Sequence, residues 1–125
     1  MPIIRADIPT GQSDEAKAVL RNRIRDAVAR TWATEHIYIA IGEMFTDPDD
    51  VQAIVTVDLR EGRGHEKKRS ELLHRMIRDS LNDVLNPRPH SFVLLIRQLP
   101  AEAFATEGGE LPPLSAITPD LTGIE

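Results

Sequence analysis

The chain has no cysteine among its 125 residues, which removes disulfides, thiolate metal sites and thiol nucleophiles together. It also lacks any run approaching the ~18 apolar residues of a membrane span. No basic region followed by an apolar run opens the sequence, so no signal peptide is expected, and a cytoplasmic location with no membrane partner follows. Basic charge is in deficit. Fifteen Lys and Arg are scattered among 20 Asp and Glu, giving a net charge of −5, and this leaves no electrostatic footprint for nucleic acid. Four histidines, His36, His65, His74 and His90, show no metal-ligand spacing, and Asp47, Asp49 and Asp50 lack the closing glutamate of a calcium loop. Neither a metal nor another cofactor is expected.

What is present reads as one domain over residues 1–125, long enough to bury about two-thirds of its unfolded surface. Ile3 to Ile8 is a strand pattern, closed by Pro9-Thr10-Gly11. Ser13 is placed as a helix N-cap, followed by Asp14 and Glu15 in a first turn whose dipole favours acids. Ala16, Val19, Leu20, Ile24, Ala27 and Val28 recur at helical spacing. Ile37 to Ile41 alternates as a strand, and Phe45 to Asp50 is a polar turn. The order then restarts: a strand over Ala53 to Leu59, a turn over Arg60 to Gly64, and a helical stripe through Leu72, Leu73, Met76, Ile77, Leu81, Val84 and Leu85. Asn86-Pro87-Arg88-Pro89 breaks that helix, and Phe92 to Ile96 is a buried strand.

This restart is an internal repeat, with residues 2–50 as the first copy, 53–111 as the second and 112–125 as a tail. Gly11 matches Gly62, Glu15 matches Glu66, Lys17 matches Lys68 and Asp7 matches Asp58, while Ile24-Arg25-Asp26 is echoed by Ile77-Arg78-Asp79. The expected class is α/β: two tandem βαβ units forming a four-stranded mixed sheet with two helices on one face. The other sheet face is left apolar and uncovered, which predicts oligomerisation. Asp7 and Asp58 are read as outward strand residues or strand-pairing partners.

Pro2 carries the chemistry in this reading. If Met1 is removed, Pro2 presents a secondary amine at the end of a buried strand, and a chain-terminal amine titrates near ~7.7–8.0 before burial or nearby cations lower it. Such an amine is a general acid or base near neutral pH. With Met1 attached, the Pro2 nitrogen is an amide without a basic lone pair. A pseudo-dyad between the halves sets their first strands side by side and antiparallel, so Pro2 faces Arg60 and Arg63. These two guanidiniums are candidate ligands for a carboxylate and would depress the amine further.

The segment Pro2-Ile3-Ile4 with Gly11-Gln12-Ser13-Asp14-Glu15-Ala16-Lys17, together with Leu59-Arg60-Glu61-Gly62-Arg63, resembles the tautomerase superfamily. That group contains 4-oxalocrotonate tautomerase and the cis-3-chloroacrylic acid dehalogenase family, and the likeness is to its fused two-unit members. It covers roughly residues 2 to 111, with Phe104 and Gly108-Gly109-Glu110-Leu111 similar to the C-terminal turn of the short tautomerases. The resemblance implies a homotrimer, Pro2 as the catalytic amine, and a keto-enol isomerase acting on a small-molecule carboxylate. Tyr38, Phe104 and Glu107 are candidates for lining the pocket, as is Trp32. Departures from the family pattern bear on the reaction. Val28, Leu95 and Thr106 stand where the dehalogenases carry a histidine, a tyrosine and a water-activating glutamate, so dehalogenation is not expected. Gln12 and Tyr38 replace arginines of the short tautomerases. Two alternatives stay open: a non-catalytic oligomeric binding module on the same fold, and a lyase or hydratase of the dehalogenase-like group.

Overall fold

The computed structural model describes residues 1–110 and gives β1 (Ile3–Pro9), α1 (Asp14–Trp32), β2 (Tyr38–Met44), β3 (Ala53–Arg60), α2 (Glu66–Val84) and β4 (Phe92–Leu99). A single 3-10 turn, Ala101–Ala103, leads into a short hairpin of β5 (Ala105–Thr106) and β6 (Gly109–Glu110). The tail over 112–125 lies outside the described residues.

α1 starts where the sequence places it. The Ser13 hydroxyl accepts the Ala16 N–H at 3.0 Å, a cap contributing about 1 kcal/mol, and Ala33 closes the helix in the left-handed region at φ 50°. α2 starts without a side-chain cap. His65 holds φ 55° at that position, and the Glu66 carboxylate instead accepts the Gly64 N–H at 3.0 Å. Leu85 ends the helix before Asn86, as the two prolines require.

Each βαβ unit pairs its strands in parallel, β1 with β2 and β3 with β4, while β1 and β3 meet antiparallel at the centre of the order β2-β1-β3-β4. The central register obeys the pseudo-dyad: Ile3 lies opposite Asp58, and their images, Ile54 and Asp7, lie opposite each other. Both helices cover one face. Ile4, Ala6, Ile8, Val55, Val57 and Leu59 from the sheet meet Leu20, Ile24, Ala27 and Val28 of α1 and Leu73, Ile77 and Leu81 of α2 in a single core. Three expectations need correction. Phe92 to Ile96, read as a buried strand, is the start of β4, and Val93 and Leu95 are each 45% exposed because that sheet face is uncovered in the single chain. Val19 is 43% exposed because the buried stripe of α1 runs through Leu20, Ile24 and Ala27 instead. β2 runs on to Met44, since its parallel pairing with β1 is maintained as far as Pro9.

The opposite sheet face is open in the single chain. Ile3, Tyr38, Ile54, Val93 and Leu95 are exposed there. The aspartates on that face are neutralised within the chain: Asp7 accepts from Arg5 Nε at 3.2 Å, and Asp58 accepts from Arg97 Nε and Nη2 at 2.7 and 3.0 Å. Gly42 lies opposite Asp7, where a Cβ would approach Asp7 Oδ1 to 2.9 Å, so a side chain there would push the carboxylate aside.

Candidate active site

The antiparallel β1–β3 register carries the start of β1 to the end of β3, and this brings residues far apart in sequence into one recess. Met1, Pro2, Trp32, Thr34, Leu59, Arg60 and Arg63 line it. Pro2 is buried, and its carbonyl accepts the Tyr38 N–H at 3.0 Å, so the first turn of chain is tied to β2. Arg60 is the last residue of β3 and Arg63 stands in the turn beyond it; they are only 7% and 9% exposed. Gly62 holds φ 92° in that turn, a backbone position open to glycine and strained for most side chains. Trp32 and Thr34 arrive at the C-terminal end of α1.

Two arginines side by side in a nearly dry recess make its field strongly positive. The Met1 amine is lowered from its usual 8.0 to about 6, first by burial and then by Arg60 and Arg63. Arg63 is itself held below the usual guanidinium value, by burial first and then by Arg69 and Arg60. Its Nη1 is buried without a hydrogen-bond acceptor, and so is Trp32 Nε1. A buried donor left unmatched costs about 1–3 kcal/mol, more when charged, so these atoms are suited to an anionic acceptor brought by a ligand. With Met1 in place the space left is about 10 Å³, near the minimum for one water.

Arg69 is the residue that the sequence reading missed. It is fully buried in α2, and it donates from Nε to Gly64 O at 2.8 Å and from Nη1 to Thr31 O at 2.7 Å. One guanidinium thus joins the turn carrying Arg63 to the last carbonyls of α1, where a cation also complements the helix dipole. Its signal was positional: Arg69 lies four residues before Leu73, on the stripe continued by Ile77 and Leu81.

Other candidates lie elsewhere in the protomer. Tyr38 is 54% exposed beside Ile3 on the open sheet face, Phe104 is buried after the 3-10 turn, and Glu107 is exposed at the tip of the β5–β6 hairpin. Of the positions where the dehalogenases carry their water-handling groups, Val28 is in the core, Leu95 is 45% exposed on the open face and Thr106 is in β5. Gln12 sits at the far end of β1, where it donates to Asn86 O and accepts from Asn86 N, both at 3.2 Å. Among the described residues no cluster of three His, Asp or Glu is placed to hold a metal, and no helix is long and apolar enough to cross a membrane.

No protein-family model and no curated protein matches the sequence. Solved structures do match the fold. A fused 4-OT that forms a symmetric trimer is 20% identical, with 93% of this chain and 99% of that one covered at a TM-score of 0.73. A macrophage migration inhibitory factor-like protein from Entamoeba histolytica is 9% identical, covering 88% and 98% at a TM-score of 0.75. N1, a member of the cis-3-chloroacrylic acid dehalogenase family, is 16% identical, covering 88% and 83% at a TM-score of 0.72. Identities this low speak to architecture. The duplicated βαβ arrangement, four strands under two helices, gives this chain the fold that these solved structures share.

Proposed function

We propose that the chain is a keto-enol tautomerase, acting on a small carboxylic acid once Met1 has been removed. The observation that carries this reading is the recess in which the chain-terminal amine, held near a pKa of about 6, lies with Arg60 and Arg63. With Met1 gone, the Pro2 amine inherits the same burial and the same cations. The arginines take the carboxylate, and the amine removes the enol hydroxyl proton as the carbonyl forms, then returns a proton to the adjacent carbon. Atoms balance without a cofactor, since the reaction is an isomerisation. Developing negative charge on the enolate oxygen is stabilised by the same guanidiniums.

The working unit in this proposal is a homotrimer. The open sheet face supports it, because its aspartates are already paired within the chain to Arg5 and Arg97 and it exposes the apolar side chains of Ile3, Ile54, Val93 and Leu95. Fused 4-OT proteins of the same fold form trimers. Burying the open face would also surround Tyr38 with neighbouring copies, the setting in which it could contribute to a pocket.

A second reading is favoured by one observation: while Met1 is attached it lines the recess, which has room for about one water, and the Pro2 nitrogen is an amide. A chain kept in that form would be a non-catalytic binding module. Intact mass separates the two, and the enol-to-keto conversion of phenylenolpyruvate then tests the first. Protein lacking Met1 is expected to accelerate the conversion, and Pro2→Ala to abolish most of that rate; equal rates for the two would remove the proline from the reaction.

A further inference from the structure

One residue that lines the recess carries a buried donor that the proton-transfer scheme does not use. Trp32 is 2% exposed and lines the recess with Pro2, Arg60 and Arg63, yet its Nε1 is buried without a hydrogen-bond acceptor. Tryptophan indoles that are buried ordinarily find a partner for this N–H. The neighbouring Arg63 Nη1 shares the condition. Two residues that line one recess, each with an unmatched donor, one charged and one neutral, are complementary to a ligand that brings at least two acceptor lone pairs. An indole N–H has one proton, accepts nothing and does not titrate in water's range, so its selectivity differs from that of a guanidinium.

We propose that Trp32 is a substrate-binding and specificity-determining residue, whose Nε1–H donates to an oxygen of the bound acid beside the Arg63 contact. The proposal rests on the reading of the recess as a carboxylate site but not on Pro2 acting as a base. Trp32 thereby discriminates against ligands that would place a donor, such as an amide N–H, against the indole. The position in the fold suits the role. Trp32 is the last residue of α1, and the carbonyl just before it, Thr31 O, is anchored by Arg69, so the indole and the Arg63 turn are held by one shared guanidinium. The ring is fixed on the same support as the charge it accompanies.

Trp32 is the only tryptophan, so its indole N–H gives one side-chain resonance that needs no assignment by mutagenesis. The full chain, with Met1 verified absent by mass, would be titrated with malonate, an unreactive small carboxylate, and with the neutral malonamide. Malonate is expected to move the indole proton downfield, while malonamide does not. Arg63→Ala should abolish the movement at the same concentrations. Trp32→Phe retains an aromatic ring without the N–H and is expected to weaken malonate about tenfold or more, the range for a hydrogen bond to a charged group. If malonate binds in an Arg63-dependent way while the indole proton stays put and Trp32→Phe binds equally well, the Trp32 assignment fails and the arginine site stands. If malonate does not bind at all, both fail. If the indole responds but Pro2→Ala leaves turnover unchanged, the proposal for Trp32 survives and the proton-transfer reading does not.

Discussion

The two ends of the β1–β3 pair are images of each other under the pseudo-dyad, yet their side chains are satisfied in opposite ways. At one end stand Pro2, Arg60 and Arg63; their counterparts at the other are Ala53, Pro9 and Gln12. The backbone has kept the correspondence closely, since Gly11 and Gly62, one residue before Gln12 and Arg63, both hold φ 92°. The side chains have not. Gln12 is 8% exposed and spends both ends of its amide on the Asn86 backbone, so that end is closed and internally satisfied. Arg63 is 9% exposed and keeps a buried Nη1 without an acceptor. Equal burial with unequal satisfaction separates a structural contact from a waiting one. A duplicated fold can therefore offer two equivalent, equally buried positions and leave a donor unmatched at only one of them.

The largest effect should come from the residue with no chemical counterpart at the other end. Pro2→Ala replaces the rigid secondary amine by a freely rotating primary one and is expected to lower the enol-to-keto rate by about 10²-fold, toward the low end of the range for a positioned general base. Arg63→Ala comes next. Loss of a charge-assisted hydrogen bond should lower kcat/KM roughly ten- to a hundredfold in the same assay, mostly through binding. Arg69→Met should resemble Arg63→Ala in activity by releasing the turn, and it should also lower the melting temperature, because Thr31 O and Gly64 O lose their donor. Gln12→Ala is the smallest and sharpens the contrast: it removes two neutral hydrogen bonds, lowers stability by about 1–3 kcal/mol in denaturant unfolding, and leaves kcat/KM unchanged. Equal losses of activity from Gln12→Ala and Arg63→Ala would erase the distinction between the two ends.

Much of the architecture was legible because it rests on local pattern. Ser13 before two acids fixes the start of α1, Asn86-Pro87 fixes the end of α2, and the matched Gly11 and Gly62 reveal the repeat and hence the antiparallel centre. That centre sets Pro2 beside Arg60, so the juxtaposition could be reasoned out before any coordinates. Features decided by tertiary partners were not legible. Arg69 has the composition of a solvated helix residue, and its complete burial goes with tertiary partners such as the carbonyls of Thr31 and Gly64, which local sequence does not show. The length of β2 depends on its pairing with β1, and the unusual start of α2 depends on Glu66 reaching back to Gly64. Tyr38, Phe104 and Glu107 are absent from the lining of the recess, because their positions on the open face, after the 3-10 turn and at the hairpin tip are set by the tertiary fold rather than by local pattern.

The central claim is that one recess joins a depressed amine to the arginines, and the amine's own titration tests it most directly. Burial and cations both disfavour the protonated form, so the amine should lose its proton well below 8.0, toward the value of about 6 found for the terminal amine here. The Pro2 nitrogen can be followed by NMR in ¹⁵N-proline-labelled protein verified to lack Met1, across pH 4 to 10 (roughly two units either side of the two values). Arg63→Ala removes one cation and should move the midpoint upward, though not all the way to 8.0, because burial is the largest cause and persists. A midpoint near 8.0 in the wild type, or one indifferent to Arg63→Ala, would contradict the account.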